Sequence, residues 1–300
     1  MGLFDWLVVR GLPLVPKPIV GKVASRYVAG ERLEDALAEI ERLAAEGAVA
    51  TLDLLGEEVG ERGRAEATFT AYEGMIAAIA ERGLPSNISI KPTSLGLKID
   101  ERLCGELVAR LVETAARHDN FVRIDMEDAS TTDATLGIYA ATRAKRPNVG
   151  VVLQAYLRRT LDDIEALPAE SANVRLCKGI YIEPRRLAYK EYATVRLSFL
   201  LALEKLLERG VYTAIATHDD HLICGALGLI DRLRVPRDRY EFQMLLGVEP
   251  ELRRILLAAG HRLRVYVPFG RDWYPYSTRR LRENPQVAKH VIRAMFRRGG

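Results

Sequence analysis

The sequence predicts an α/β fold, a (β/α)8 barrel, and three observations support this prediction. After residue 30, short apolar or β-branched runs alternate strictly with longer segments of helical periodicity. Eight such strand–helix units indicate a parallel sheet, and eight is the number that closes a barrel of this type. No linker, low-complexity tract or shift of composition divides the 300 residues. A doubly wound parallel sheet is the alternative, although such sheets usually have fewer strands.

The predicted elements follow one another in regular order along the chain. The strand candidates are the runs 49–54, 87–90, 121–126, 149–153, 173–177, 212–217, 240–245 and 262–267. Helical periodicity extends over 63–82, 100–118, 131–145, 158–167, 187–209, 219–232 and 249–258. Apolar residues at helical spacing in 31–46 predict an additional helix before the first strand. We therefore expect a single domain, with an N-terminal helical segment (1–47) packed on the barrel (48–300).

A last helix is predicted from Asp272, which can cap it, with Pro275 in the first turn, where its missing N–H costs nothing. Four residues at positions i, i+3, i+4 and i+7 share one face of this helix: Tyr276, Arg279, Arg280 and Glu283. Two adjacent guanidinium groups suit a carboxylate or a phosphate, which they can bind through bidentate charged hydrogen bonds. A solvated charged face is the alternative, and the pattern alone does not decide between the two.

Composition and charge exclude several classes of protein. Hydrophobic residues make up 48% of the chain and charged residues 28%, the profile of a soluble globular protein rather than a disordered one. The net charge of +4 is dispersed and does not indicate a nucleic-acid partner. The three cysteines lie far apart without a CxxC motif, which argues against disulfides and favours a reducing compartment, the cytoplasm. No apolar run reaches the length of a membrane-spanning helix.

Polar or ionisable residues stand at the end of every predicted strand. They are Asp53, Lys91, Asp125, Gln154, Arg175, His218, Gln243 and Tyr266. In barrels of this type the chemistry lies where strands end and the following loops begin, so these side chains are expected to meet on one rim. Any strand must end in polar residues before a loop, which explains some of them. It explains less well Lys91, Asp125, Gln154 and Arg175, which follow or lie within apolar runs.

Several kinds of chemistry at this rim stay open on the residues alone. His218 and His221 could hold a metal in a barrel lyase or hydrolase, but histidines three apart at a helix start usually cap the helix or face solvent, so we expect no metal. Lys91 or Lys178 could form a Schiff base. A non-catalytic barrel that binds anions is a further alternative. Gly-rich phosphate motifs are absent, so barrel loops would have to hold any nucleotide cofactor.

Ordered motifs along the chain resemble those of a known family. The segment RVYVPFGRDWYPY (264–276), followed by RRLRE (279–283), is similar to the C-terminal signature of proline dehydrogenases, both the monofunctional bacterial type and the domain of bifunctional proline-utilisation enzymes. Five further motifs match in order, one per strand: LDLLGE (52–57), VRIDME (122–127), VRLCKG (174–179), ATH (216–218) and YEFQML (240–245). The resemblance extends from about residue 31 to residue 285.

The resemblance implies a distorted (β/α)8 TIM-type barrel with extra N-terminal helices, a final helix over the barrel mouth and bound FAD. It implies oxidation of L-proline to Δ1-pyrroline-5-carboxylate by hydride transfer to flavin N5, with electrons passed to a membrane quinone. A quinone acceptor is consistent with peripheral contact on the inner face of the membrane. The tail 286–300 has the pattern of a basic amphipathic helix that could make this contact, and a solvated final helix is the alternative.

By position in the matching motifs, the resemblance assigns roles to individual residues. Asp125, beside the substrate ring, and Arg175, near flavin N5, are the catalytic candidates. The substrate-binding candidates are Lys91, Arg279 and Arg280 for the carboxylate, and Tyr266, Tyr276 and Leu245 for the ring wall. Glu57 would pair with Arg279 to close the site. The cofactor-binding candidates are Met126, Gln154, Arg175, Lys178, Gly179, Ile180, Thr217, His218, Gln243 and Glu283.

The sequence departs from the family pattern at three positions. Ile180 stands where Ala is common, Leu246 stands where related sequences carry Tyr or His, and Pro92 follows Lys91 in place of the more frequent residue. None of these changes removes a residue that the chemistry needs, so they bear on substrate range and rate rather than on reaction class. No feature of the sequence indicates an oligomeric state.

Overall fold

The computed structural model describes residues 21, 25–168 and 172–277. Eight parallel strands, numbered in chain order, form a closed barrel in which β8 pairs with β1. They are β1 (Val49–Leu54), β2 (Ser86–Ile90), β3 (Val122–Ile124), β4 (Val149–Gln154), β5 (Asn173–Cys177), β6 (Tyr212–Ala216), β7 (Tyr240–Leu245) and β8 (Leu263–Phe269). The predicted (β/α)8 barrel is confirmed, and its closure excludes the open doubly wound sheet.

Helices alternate with the strands as the periodicity predicts. They are α1 (Leu33–Ala45), α2 (Arg62–Glu81), α3 (Glu101–Arg117), α4 (Thr132–Arg143), α5 (Thr160–Ala166), α6 (Tyr192–Glu208), α7 (Asp220–Arg232) and α8 (Pro250–Ala258). The last helix begins as predicted, since 273–277 are helical, and its continuation lies outside the described residues. Helix α1 buries its apolar face against β1 and β8 and so covers the seam of the barrel. Within the described ranges, no helix combines the length and the apolar character needed to cross a bilayer.

Among the predicted boundaries that differ from the structure, the end of β3 is wrong by two residues and the start of α6 by five, and distant contacts lie at both places. Strand β3 ends before Asp125 because the Gln154 amide binds the carbonyls of Met126 and Glu127 and turns the chain away from the sheet. Helix α6 begins at Tyr192 rather than 187. The segment before it consists of a turn at 185–187 and an isolated antiparallel bridge between Leu157 and Ala188, and Tyr189 N–H donates to the Tyr156 carbonyl.

The carboxyl ends of the strands form the mouth of the barrel. Below this mouth, the interior of the barrel holds a buried ion pair between Arg264 and Glu241. Arg264 donates to the Ala50 carbonyl, to Asn87 Oδ1 and, through Nε and Nη2, to both carboxylate oxygens of Glu241. Burial works to raise the pKa of Glu241, but attraction to Arg264 outweighs it and lowers the pKa to about 2. This ion pair forms a rigid floor under the residues that end the strands.

Candidate active site

A cavity of about 660 Å³ opens at the carboxyl ends of the strands, the end at which barrels of this type carry their chemistry. Every strand or the loop that follows it contributes a side chain to its wall. In strand order these residues include Asp53, Lys91, Asp125, Gln154, Arg175, Thr217, Gln243 and Tyr266. The polar strand ends of the sequence therefore meet around one space.

The structure brings together all of the predicted site residues that it describes. The cavity is lined by Glu57, Lys91, Asp125, Met126, Gln154, Arg175, Lys178, Gly179, Ile180, Thr217, His218, Gln243, Leu245, Tyr266 and Tyr276. The remaining three, Arg279, Arg280 and Glu283, lie outside the described residues. Their placement, and the individual role of each lining residue, stay predictions.

Asp125 is the centre of a hydrogen-bond network that fixes both of its carboxylate oxygens. Oδ1 accepts from Arg175 Nη1 at 2.6 Å and from Ser89 Oγ at 2.7 Å. Oδ2 accepts from the Tyr266 hydroxyl at 2.9 Å. The Arg175 guanidinium also lies 5.3 Å from the Tyr266 ring centroid, a cation–π contact. The network joins β2, β5, β8 and the end of β3 in one rigid wall.

Arg175 is anchored from a second side and still keeps one donor unused. Its Nε donates to Gln243 Oε1 at 2.5 Å, and Gln243 Nε2 donates in turn to Glu241 Oε1 at 2.6 Å, which links the mouth to the floor. Arg175 Nη2 is buried and has no hydrogen-bond partner among the described residues. A buried charged donor without a partner is costly, so this atom is available to a ligand.

Lys91 and Asp53 form a buried ion pair at the same end of the barrel. Burial raises the pKa of Asp53 to about 6, although Lys91 beside it favours the charged form. Burial would lower the pKa of Lys91, but Asp53 raises it well above its ordinary value. The attraction between the two groups favours the charged form of each. A lysine held in its ammonium form is a poor Schiff-base nucleophile, which disfavours that alternative for Lys91.

Glu127 ties three loops of the mouth together and was not predicted as a site residue. Its carboxylate accepts from Thr93 N–H at 2.8 Å and from the Thr93 hydroxyl, while Thr93 Oγ1 accepts from Glu58 N–H at 3.1 Å. Burial raises the pKa of Glu127 to about 7, against these hydrogen bonds. Next to it, Gln154 Oε1 is buried and lacks a partner in the described part of the chain.

Another part of the cavity wall is organised by Asp219, which also caps α7 through His221 N–H. Its carboxylate accepts from Lys178 Nζ at 2.8 Å, from the Tyr192 hydroxyl at 2.5 Å and from Arg196 Nη2 at 2.6 Å. Burial would raise the pKa of Asp219, but these donors hold it far below its usual range. Lys178 is thus fixed in place, while Tyr192 and Arg196 are contributors that the sequence does not predict.

His218 uses one ring nitrogen in a structural hydrogen bond, so that nitrogen cannot bind a metal at the same time. Its Nε2 accepts from Leu245 N–H at 2.7 Å and so joins the loop after β6 to the end of β7. That nitrogen is engaged, and His221 is exposed. The described residues contain no group of three or more metal-ligating side chains. The geometry therefore gives no support to the metal-dependent alternative.

Gly179 allows the cavity wall to approach Tyr156 closely. Its φ is +101°, and a Cβ added there would lie 2.1 Å from Cδ1 of the Tyr156 ring. Both the backbone conformation and the space therefore require glycine.

The structure describes all three positions at which the sequence departs from the family pattern. Ile180 lines the cavity, Leu246 is buried in the core, and Pro92 begins a short 3-10 turn (Pro92–Leu95).

Comparison with known proteins finds similarity over most of the chain. A family model described as proline dehydrogenase matches residues 36–293. The chain belongs to the proline dehydrogenase family. It is 38% identical to proline dehydrogenase 1 of Bacillus subtilis (strain 168), over 92% of this chain and 91% of that one. It is 35% identical to the proline dehydrogenase of Deinococcus radiodurans, over 92% of this chain and 90% of that one.

A solved structure shares the fold of this proline dehydrogenase family member. It is proline utilization A from Bdellovibrio bacteriovorus inactivated by N-propargylglycine, with a TM-score of 0.82 and 23% sequence identity. The match covers 88% of this chain and 33% of the other, so the chain corresponds to about a third of that larger protein. At this identity the likeness supports the barrel fold alone.

Proposed function

We propose that this chain oxidises L-proline to Δ1-pyrroline-5-carboxylate with FAD bound in the barrel mouth, and that the electrons pass to a quinone. The observation that carries the proposal is the Asp125–Arg175–Tyr266 network, which leaves Arg175 Nη2 buried without a partner among the described residues beside a cavity. Family membership supplies the reaction class, and the cavity supplies a place for it.

The residues around the cavity fit a flavin. Arg175 Nη2 and Gln154 Oε1 are a buried donor and a buried acceptor, neither bonded within the described ranges, and suit the polar edge of an isoalloxazine. Met126, Val152 and Leu245 give the wall apolar surface for the rings. The cavity volume falls within the range of about 300–1,000 Å³ typical of small-molecule sites. When bound, FAD supplies the hydride acceptor at N5.

The chain's own residues would orient the substrate and favour its reactive form. Lys91 brings one buried positive charge, and Arg279 and Arg280, which lie outside the described residues, are proposed to bind the same carboxylate. A site dense in cations disfavours protonated proline, because like charges repel, and the amine must be unprotonated to lose a hydride. Tyr266 and Leu245 would hold the ring in one pose, and positioning contributes much of the catalysis in such reactions.

The proposal also includes closure of the site and contact with a membrane. Glu57 lines the cavity from the loop after β1 and is proposed to pair with Arg279 and close the site. The quinone requires the protein to reach a bilayer surface, and we propose peripheral contact from the cytoplasmic side through the tail 286–300. That segment lies outside the described residues.

Anaerobic titration of the purified chain with L-proline, followed by visible absorbance, tests the proposal. We expect a yellow protein whose flavin band bleaches with L-proline and stays unchanged with D-proline. The site would fix the carboxylate and the ring of the substrate in the arrangement of one enantiomer only. Metal analysis runs beside it. A colourless protein, or a flavin band that L-proline leaves intact, would contradict the proposal, and stoichiometric zinc would favour the metal-dependent barrel.

A further inference from the structure

A segment that precedes the barrel in sequence lies across its mouth. Ala29 N–H donates to the Pro268 carbonyl at 2.9 Å, and Gly270 N–H donates to the Gly30 carbonyl at 2.9 Å. These bonds lay the segment beside the end of β8. At its far end, the Trp273 indole N–H donates to Glu31 Oε1 at 2.9 Å. The segment 25–31 is therefore bonded both to the barrel and to the start of the last helix.

A glycine lets the same segment press against the loop after β7. Gly247 has a φ of +73°, and a Cβ added there would lie 1.8 Å from the Arg26 carbonyl oxygen. No side chain could be accommodated without moving the segment. On its other side, Val28 packs with Leu55 and Tyr276 in a small buried apolar cluster. The segment is thus fixed between the loops after β1, β7 and β8.

Tyr27 is the residue of this segment that reaches the cavity. It is 9% exposed and lines the cavity together with Leu245, Val248 and Tyr276. Two of these, Leu245 and Tyr276, are the residues proposed above to wall the substrate ring. An aromatic ring fixed here reduces the space at this end of the cavity, and it comes from a segment that precedes the first strand of the barrel.

We propose that Tyr27 is a specificity-determining residue, which closes the cavity behind the substrate ring and restricts the site to a five-membered ring. This proposal rests on the proposed function. In an apolar pocket, one extra methylene changes discrimination about 10- to 200-fold, because the pocket either has room for it or does not. Removal of the Tyr27 ring therefore provides room for one or two carbons, while proline loses a contact.

The test uses the purified holoenzyme with L-proline and with L-pipecolate, the six-membered-ring homologue. We expect Tyr27→Ala to raise the kcat/KM ratio of pipecolate to proline about tenfold or more, and to raise KM for proline more than it lowers kcat. Tyr27→Phe keeps the aromatic ring and should keep the wild-type ratio. Thermal shifts induced by each amino acid give a binding readout that does not depend on turnover.

Val28→Ala is the matched control, since Val28 anchors the same segment without lining the cavity. It should lower the unfolding midpoint and leave the substrate ratio unchanged. An unchanged pipecolate-to-proline ratio in Tyr27→Ala would overturn the proposal, and so would an equal change of this ratio in Val28→Ala. If Tyr27→Ala does not fold, Tyr27→Leu takes its place. Failure of wild-type chain to oxidise L-proline would instead refute the proposed function, so the two failures are distinguishable.

Discussion

Two charged layers stacked inside one barrel differ in how completely they are paired. In the floor, Arg264 has all three guanidinium nitrogens bonded, two of them to Glu241. In the mouth, Arg175 has Nε and Nη1 bonded and Nη2 without a partner among the described residues. In the floor, the chain itself therefore satisfies every nitrogen of the Arg264 guanidinium. In the mouth, one charged donor of Arg175 stays available for a ligand.

The carboxylates of the two layers differ in the direction in which their pKa values are shifted. Attraction to Arg264 holds the pKa of Glu241 at about 2, while burial raises the pKa of Glu127 to about 7. A buried carboxylate whose pKa is lowered stabilises the fold when it is ionised, and one whose pKa is raised destabilises the fold when it loses its proton. At neutral pH the floor therefore contributes to stability, and the mouth is less stable at the place where a ligand would bind.

Arg264→Met is expected to have the largest effect, on stability rather than activity. The substitution leaves Glu241 as a buried charge that has lost its main partner, which typically costs about 3–5 kcal/mol. Urea unfolding measures the loss. Arg262→Ala is the control, because Arg262 also pairs with Glu241 but is about half exposed, and it should cost far less. Equal costs for the two variants would contradict the assignment of the floor.

Arg175→Met should act mainly on turnover. Loss of one preorganised charged donor typically lowers kcat about 10²- to 10³-fold. Asp125 keeps its bonds from Ser89 and Tyr266, so the fold should survive. Stopped-flow reduction by L-proline measures the effect, and Arg232→Met, on an exposed arginine, is the control. A variant with wild-type kcat would remove Arg175 from the proposed site.

Glu127→Gln should remove a pH dependence of stability. The folded pKa of about 7 lies above the ordinary value of 4.5, so the stability from this group is complete below pH 4.5 and is lost as pH rises to 7. The difference amounts to at most about 3 kcal/mol. Urea unfolding at both pH values measures the slope, which should flatten in the variant. Glu241 should show the opposite sign, with stability lost as pH falls from 4.5 towards 2.

Tyr266→Phe should have the smallest effect of the four. It removes one hydrogen bond to the Asp125 carboxylate and keeps the ring that packs under Arg175. A bond to a charged acceptor contributes about 1.5 kcal/mol or more, so kcat/KM should fall about tenfold. Steady-state kinetics measure this fall. An unchanged value would show that Asp125 is positioned by Arg175 and Ser89 alone.

The sequence was sufficient for the barrel because its signals are local. The runs 49–54, 173–177 and 240–245 are short and rich in apolar residues, and the structure forms strands within the same bounds. The rim residues could also be found, since each stands at a strand end. The run 121–126 was extended too far because its end depends on an amide 28 residues away, at Gln154.

The residues missed by the sequence analysis depend on non-local geometry. Asp53 was noted at a strand end, but its pairing with Lys91 depends on the register between β1 and β2. Arg196 reaches Asp219 from the first turns of α6, and Tyr27 reaches the cavity from a segment before the barrel. Neither follows from periodicity or from a motif.

A crystal structure of the chain with its cofactor and a proline-like ligand tests the central claim most directly. The measurement is the distance from Arg175 Nη2 to the nearest ligand atom. We expect a hydrogen bond of about 2.7–3.2 Å to the ligand, with Gln154 Oε1 bonded in the same way. An occupied mouth in which Arg175 Nη2 still has no ligand partner would contradict the account.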